Sequence, residues 1–321
     1  MNKPYYLGID VGGTKCAVLA GTADMEVLKK TGFPTETQLG PGHAIGQLLG
    51  RSSEIVESLG HENLVSIGIS CGGPLDSKKG VVQSPPNLPG WNNIPIVKLF
   101  SEKFGVQAYL QNDANACALA EWKFGAGKGT RNMVFLTFGT GMGGGIIIEG
   151  RLYSGTNDLA GEVGHLRLAD DGPEAYGKRG SFEGFCSGTG IALLAKEIVR
   201  EKFALKQKVS FCNNINNITK ITAKDIADAA FAGDKTAIKI LEISGEYLGK
   251  GLSILIDILN PEKIVIGSMY TRCRQFIEPA CFEVVRRECL APAGAVCEIV
   301  PAALGEEVGD YASLSVAMMN L

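Results

Sequence analysis

Two glycine-rich segments carry residue types that could do chemistry: Leu7-Gly8-Ile9-Asp10-Val11-Gly12-Gly13-Thr14-Lys15 and Leu136-Thr137-Phe138-Gly139-Thr140-Gly141-Met142-Gly143-Gly144-Gly145. Each begins in an apolar run that reads as a strand. Glycines in such a turn are expected to reach positive φ and to let backbone N–H groups approach an anion, while Thr14 and Thr140 add hydroxyl donors. The phosphates of a nucleotide fit that chemistry. Taken singly, each segment reads equally well as an ordinary tight hairpin; the pairing of the two carries the phosphate reading. Lys15 suits a phosphate ligand or a solvated strand position.

Carboxylates form the second set. Asn112-Asp113-Ala114-Asn115-Ala116 follows a strand and opens a helix. Either Asn112 or Asp113 can cap that helix. A carboxylate at the C-terminal end of a strand in an α/β sheet suits a general base acting on a hydroxyl, although taken by itself a plain capping aspartate is the commoner reading. Further on, Gly161-Glu162-Val163-Gly164-His165 precedes Gly180-Ser181-Phe182-Glu183-Gly184-Phe185. Carboxylates accept hydrogen bonds and imidazole can donate or accept, so Glu162, His165 and Glu183 could read several hydroxyls of a sugar. A histidine satisfied within the fold is the alternative.

The elements that must position these groups alternate. Strands are expected near 5–10 and 15–20, a helix near 44–59, a strand at 64–70, a helix near 96–104, a strand at 107–111 and a helix from Asn112–Asp113 to about Phe124. Prolines punctuate the connections, and Ser84-Pro85-Pro86-Asn87-Leu88-Pro89-Gly90-Trp91 reads as an ordered loop suited to a small-molecule pocket. At a constant offset Leu7, Gly12 and Gly21 fall opposite Leu136, Gly141 and Gly150. That self-similarity predicts an internal duplication, two related α/β units facing one another, each offering one turn to a shared ligand.

Composition narrows the function classes. The chain has 321 residues, 45% hydrophobic and 20% charged, enough for two ordinary domains. A formal charge of −3 gives no global positive field toward nucleic acid or an anionic membrane. The first strand begins within a few residues of Met1 with no signal-peptide pattern, so a cytoplasmic address is expected. Apolar stretches such as Leu252–Leu259 are too short and too interrupted to span a bilayer. Nine cysteines with no CxxC pair read as reduced thiols. Cys273, Cys281, Cys289 and Cys297 recur every eighth residue, a spacing that matches neither a metal-ligand pair nor one helix face.

These segments resemble the ROK sugar kinases and regulators, within the actin-like, hexokinase-type ATPase superfamily. Asp10–Lys15 is similar to the family's first phosphate motif and Gly139–Gly145 to its second; Asn112-Asp113 resembles the pair that binds and deprotonates the sugar. Glu162, His165 and Glu183 match its sugar-binding residues. Ile264-Val265-Ile266-Gly267-Ser268, after Asn260-Pro261, resembles the adenosine-binding turn. Five such motifs in the family's order over nearly the whole chain form a specific signal.

The resemblance implies an α/β, two-lobed actin-like (ribonuclease H-like) fold with the active site in the interdomain cleft, and closure of the lobes to exclude water. Residues 1–112 plus about 302–321 are expected in the small lobe and 113–301 in the large one. The implied reaction is ATP-dependent phosphorylation of a hexose, at the 6-hydroxyl of glucose or a relative, with Asp113 as base. Gly12, Gly13, Thr14, Lys15, Gly139, Thr140, Gly141, Gly143, Gly267 and Ser268 would hold the nucleotide, and Asp10 would act on Mg²⁺ directly or through water. Gly73, in Ser70–Asp76, and Asn87 are expected beside the sugar's 1- and 2-positions. Room there keeps N-acetylmannosamine or N-acetylglucosamine as alternative substrates. A homodimer is also implied.

Two departures qualify the resemblance. Many ROK proteins carry CxCGxxGC after the histidine, three of whose cysteines hold a structural zinc with it. Here Glu174, Tyr176 and Ser181 stand at the cysteine positions, a carboxylate and two hydroxyls in place of soft sulfur donors. No zinc is expected, and a hydrogen bond from Glu174 or Tyr176 is expected to hold the His165 ring instead. The family's regulators place a helix-turn-helix domain ahead of this body, whereas here the first phosphate motif starts at once. A non-catalytic sugar sensor or transcriptional regulator is thus the competing function class.

Overall fold

A computed structural model describes residues 3–319. Ten main strands build two five-stranded sheets: β1 (Tyr5–Val11), β2 (Lys15–Gly21), β3 (Val27–Pro34), β4 (Leu64–Cys71), β5 (Gln107–Asn112), β6 (Met133–Leu136), β7 (Gly144–Ile148), β8 (Arg151–Leu152), β9 (Lys263–Ile266) and β10 (Glu298–Pro301). The strand orders are β3-β2-β1-β4-β5 and β8-β7-β6-β9-β10. The second order is the first with every number raised by five, so the duplication read from Leu7/Leu136 and Gly12/Gly141 is present as topology. In each sheet the first strand lies at the centre and runs parallel to two later strands, β4 and β5 or β9 and β10. Such an arrangement gathers strand C-termini at one edge, where open α/β sheets hold ligands.

The helices are α1 (Pro41–Leu59), α2 (Ile96–Phe104), α3 (Asp113–Phe124), α4 (Phe182–Phe185), α5 (Gly188–Ala204), α6 (Ala223–Phe231), α7 (Lys235–Leu259), α8 (Met269–Glu288), α9 (Ala291–Val296) and α10 (Val308–Ala317). The chain divides into two compact units, Met1–Gly129 with Gly145–Ala160 and Ala303–Leu321, and Thr130–Gly144 with Gly161–Ala302. Asn320 and Leu321, which end the expected small-lobe segment, lie outside the described residues.

The first unit's core covers the sheet with Leu48, Ile55, Phe100 and Phe104 from α1 and α2 against Leu7, Ile9, Ile67 and Ile69. On the other face α10 lies against β1 and β4. Gly8 and Gly68 are partners in register, and a Cβ on Gly68 would stand 2.2 Å from backbone atoms of Ser313 and Ala317. The absent side chains let the helix backbone meet the sheet, and Ser66 Oγ fixes it by donating to the Ala317 carbonyl at 2.7 Å. The second unit packs Leu136, Phe138, Phe182, Ile191, Leu252, Ile264 and Ile277 into one core.

The expected strands and helices of the first half all form, to within a few residues at their ends. β3 has no counterpart in the sequence reading, because most of its side chains are exposed or half-buried and Lys29, Lys30 and Pro34 blur its pattern. Those residues suit an edge strand. The Ser84–Trp91 loop is ordered: Ser84 N donates to the Trp91 carbonyl at 2.8 Å, and Trp91 is buried. All nine cysteines are free thiols. Cys273 and Cys281 both lie in the core along α8. Among the described residues, no helix is long and apolar enough to cross a membrane.

Candidate active site

In the first unit, the carboxylates come from the C-terminal ends of β1 and β5, parallel strands with β4 between them. Asp10 is the penultimate residue of β1, and Asn112 ends β5 with Asp113 just beyond. Cys71 pairs with Val11 on one side and Asn112 on the other. Two strand spacings separate the ends of β1 and β5 by about 10 Å.

Asn112, not Asp113, caps α3. Its Oδ1 accepts from Ala114 N at 2.8 Å and Asn115 N at 3.4 Å. Asp113 is therefore the first residue inside the helix, where one carboxylate oxygen accepts from Ala114 N at 2.8 Å. The carboxylate is open to solvent, yet the protein around it removes enough water to raise its pKa, against the pull of the Ala114 amide. Asp10 is half-buried. Desolvation first, then the charge of Asp113, pushes its pKa up to about 6, opposed by Lys15 and Lys30. Lys30 is itself paired with Asp310 of α10 at 2.6 Å.

The first glycine turn is held from outside. Gly12 N donates to the Lys15 carbonyl at 3.1 Å, Thr35 N to the Thr14 carbonyl at 3.0 Å, and Thr35 Oγ1 to the Gly12 carbonyl at 2.6 Å. A Cβ on Gly13 would stand 2.4 Å from the Asn87 carbonyl, so the turn and the Ser84–Trp91 loop touch backbone to backbone. Asn87's side-chain amide faces Gly72, and the Asn112 amide nitrogen would lie 3.3 Å from a Cβ on Gly73. Gly13, Gly73, Asn87 and Asn112 thus converge beside Asp113, while Thr14 and Lys15 are exposed.

The second unit assembles the other set. Thr137 N donates to the Gly143 carbonyl at 2.9 Å and Gly139 N to that of Gly141 at 3.1 Å, folding Gly139-Thr140-Gly141 into a tight loop. Gly267 N and Met269 N donate to the carbonyls of Leu136 and Phe138, both at 3.0 Å, which brings the Gly267-Ser268 turn beside it. Ser268, at the start of the 20-residue α8, has φ 48° and ψ −110°. That strained backbone aims the helix N-terminus at the loop.

Glu183, in α4, accepts from Met142 N at 2.8 Å. Gly164 fits where a Cβ would stand 2.4 Å from the Met142 carbonyl and 3.2 Å from the Glu183 side chain. The Glu162–His165 turn therefore packs directly on Glu183. Burial raises the Glu183 pKa, and Glu162 adds to this; the Met142 amide and His165 pull it down. Glu162 and His165 are exposed.

One expectation changes. Gly12, Gly13, Gly139 and Gly141 do not occupy the left-handed region; at Gly12, Gly13 and Gly141 glycine fits because a Cβ would collide, at Gly141 with Glu183 Oε2 at 2.7 Å, whereas a Cβ on Gly139 would meet only Ser268 Oγ at 3.8 Å. The His165 ring stacks on Tyr176, with centroids 5.4 Å apart and planes at 27°, a contact that the sequence reading did not include. The residues at the family's zinc positions do not suit the metal: Ser181 Oγ is spent accepting from Gly184 N at 3.1 Å, and Tyr176 offers its ring face to His165. Among the described residues no group of three or more His, Cys, Asp or Glu could hold a metal. Mg²⁺ demands less of the protein, since it keeps most of its waters. The charge of Asp113 is the second cause that raises the Asp10 pKa, after desolvation; a hydrated cation beside Asp10 would relieve both. Thr35 and Lys178 went unread, as neither stands in a recognisable motif.

A family profile described as ROK matches residues 6–315. The chain belongs to the ROK family. It is 35% identical over 278 residues to a glucokinase of Halalkalibacterium halodurans, covering 83% of this chain and 81% of that one. A Thermotoga maritima glucokinase is 31% identical over 317 residues, 98% of each chain. Among solved structures, a ROK family glucokinase from Streptomyces griseus in complex with glucose and AMPPNP superimposes with a TM-score of 0.74 at 26% identity, covering 98% of both chains. The fold of this ROK protein is accordingly the actin-like α/β fold of the family's sugar kinases.

Proposed function

We propose that this protein is an ATP-dependent hexose kinase that transfers the γ-phosphate to a sugar hydroxyl, the 6-hydroxyl of glucose or a related hexose first. The observation that carries the proposal is the division of labour at the start of α3. Asn112 takes the capping duty, so Asp113 keeps a carboxylate oxygen for a substrate proton, and the water that the surrounding protein displaces from this solvent-open carboxylate raises its affinity for that proton. A base for hydroxyl deprotonation works best when its pKa moves toward working pH.

Phosphoryl transfer asks the protein mainly for positioning and charge neutralisation. In the first unit, the Gly12-Gly13-Thr14 turn and Lys15 offer donors to phosphate, and Asp10 would hold Mg²⁺ directly or through water. Bound Mg²⁺ supplies neutralisation of phosphate charge. In the second unit, Gly139, Thr140, Gly141 and Gly143, with Gly267 and Ser268, form the nucleotide's seat. Asn87 and Asn112 present amides beside Gly73 for sugar hydroxyls, and Glu162, His165 and Glu183 accept from others. The small residues Gly72 and Gly73, expected beside the sugar's 1- and 2-positions, keep N-acetylmannosamine and N-acetylglucosamine as the second substrate choice. A cytoplasmic homodimer fits the family resemblance, and sedimentation velocity reads the assembly.

The test is ADP release from Mg·ATP across hexoses and N-acetylhexosamines. Turnover with one sugar supports the kinase and names its substrate; sugar binding by calorimetry with no turnover on any sugar would make this a sensor.

A further inference from the structure

We propose that Tyr176 and Lys178 are positioning residues that clamp His165 for the sugar without a metal, a proposal that rests on the sugar-kinase function above. Both sit on a short hairpin, Glu174–Ala175 paired with Lys178–Arg179. Its two turn residues, Tyr176 and Gly177, have φ 49° and 68°. A two-residue hairpin turn with both φ values positive favours asparagine, aspartate or glycine. Tyrosine there is conformationally costly, and the residue is 73% exposed. Neither turn propensity nor core packing accounts for that choice.

The contact it makes does. The Tyr176 ring lies on the His165 imidazole, and two residues on, Lys178 Nζ donates to the His165 backbone carbonyl at 2.7 Å. One hairpin therefore grips the same residue at its ring and at its backbone. The stack occupies the face of the imidazole and leaves the nitrogens, on its edge, for a hydroxyl. The hairpin is anchored in turn: Arg167 Nη1 donates to the Arg179 carbonyl at 2.8 Å, and Arg179 pairs with Asp171. Two residues beyond Arg179, Ser181 caps the helix that carries Glu183. A single segment thus sets both His165 and Glu183.

The chain has three histidines, His43, His61 and His165, so imidazole NMR signals report on the clamp independently of turnover. In Tyr176→Leu the His165 ring protons should shift as the stack is lost, while His43 and His61 stay fixed and certify the fold. Stacking strength predicts a rise of about three- to tenfold in the sugar KM, with kcat held because the lost positioning is shared by ground and transition states. Tyr176→Phe should restore both readouts, and Lys178→Met should raise KM with the ring stack retained. Unmoved His165 signals in Tyr176→Leu, an unmoved KM, or a phenylalanine variant as impaired as the leucine one would overturn the clamp. Wild-type protein inactive on every sugar would sink the kinase function instead; the ring shifts and calorimetric sugar affinity would then judge the clamp by themselves.

Discussion

Asp10 in the first unit and Glu183 in the second are both partly buried carboxylates beside a glycine turn, on sheets of one topology. Their surroundings differ. Burial and a second carboxylate raise Asp10, and the lysines that oppose this, Lys15 and Lys30, are exposed on their strands or already paired. Glu183 has a backbone amide bonded to it and an imidazole nearby. The duplicated scaffold has therefore been given two electrostatic tasks. One unit sets a second carboxylate against Asp10 with only exposed or already paired lysines in opposition; in the other, burial and Glu162 raise Glu183 as well, but a bonded backbone amide and an imidazole offset part of that.

The contrast breaks most severely at Asp113. Asp113→Asn should lower kcat by roughly 10²–10⁴, the usual cost of removing a general base, with the thermal midpoint near that of the wild type because Asn112 still caps α3. Full turnover by this variant in the ADP-release assay would reject the assignment.

Asp10 sharpens it through stability. Its folded pKa lies above the unfolded one, so the native state binds the proton more tightly, and this contribution declines as pH rises from about 4 to about 6. At pH 7 the charged group costs roughly 2–3 kcal/mol. Asp10→Asn should be more stable than wild type by about that amount at pH 7 and equal near pH 4, in urea titrations, while losing Mg·ATP turnover. A variant less stable at pH 7 would show that Asp10 is not under charge strain. Saturating Mg·ATP should narrow the gap by stabilising only the wild type.

The smallest effect belongs to Glu183. Glu183→Gln keeps an acceptor for Met142 N, but its hydrogen bond to a sugar hydroxyl becomes a neutral one in place of a charged one, a loss of about 1 kcal/mol. The sugar KM should rise about fivefold with stability nearly unchanged. A loss as large as that of Asp113→Asn would erase the distinction between the two carboxylates.

Local chemistry explains which features were legible in the residues. Alternation of apolar and polar positions marked β1, β2, β4 and β5, and the Asn112-Asp113 pair marked the start of α3. β3 escaped notice because an edge strand buries too little to leave a pattern. The capping choice between Asn112 and Asp113 is not written in the pair, since both side chains cap well. It follows from which of them accepts the Ala114 and Asn115 amides.

By itself the sequence determined the α/β alternation, the duplicated glycine turns and the residues equipped for phosphate and sugar chemistry, because these rest on periodicity and on short-range spacing. The tertiary structure decided why those glycines are glycines: Gly13 meets the Asn87 backbone, Gly141 the Glu183 carboxylate and Gly164 the Met142 carbonyl, contacts between segments distant in the chain. It also decided the charge state of Asp10 and the stacking of Tyr176 on His165. Both depend on desolvation and on ring geometry, which arise only when separate stretches of chain are packed against one another.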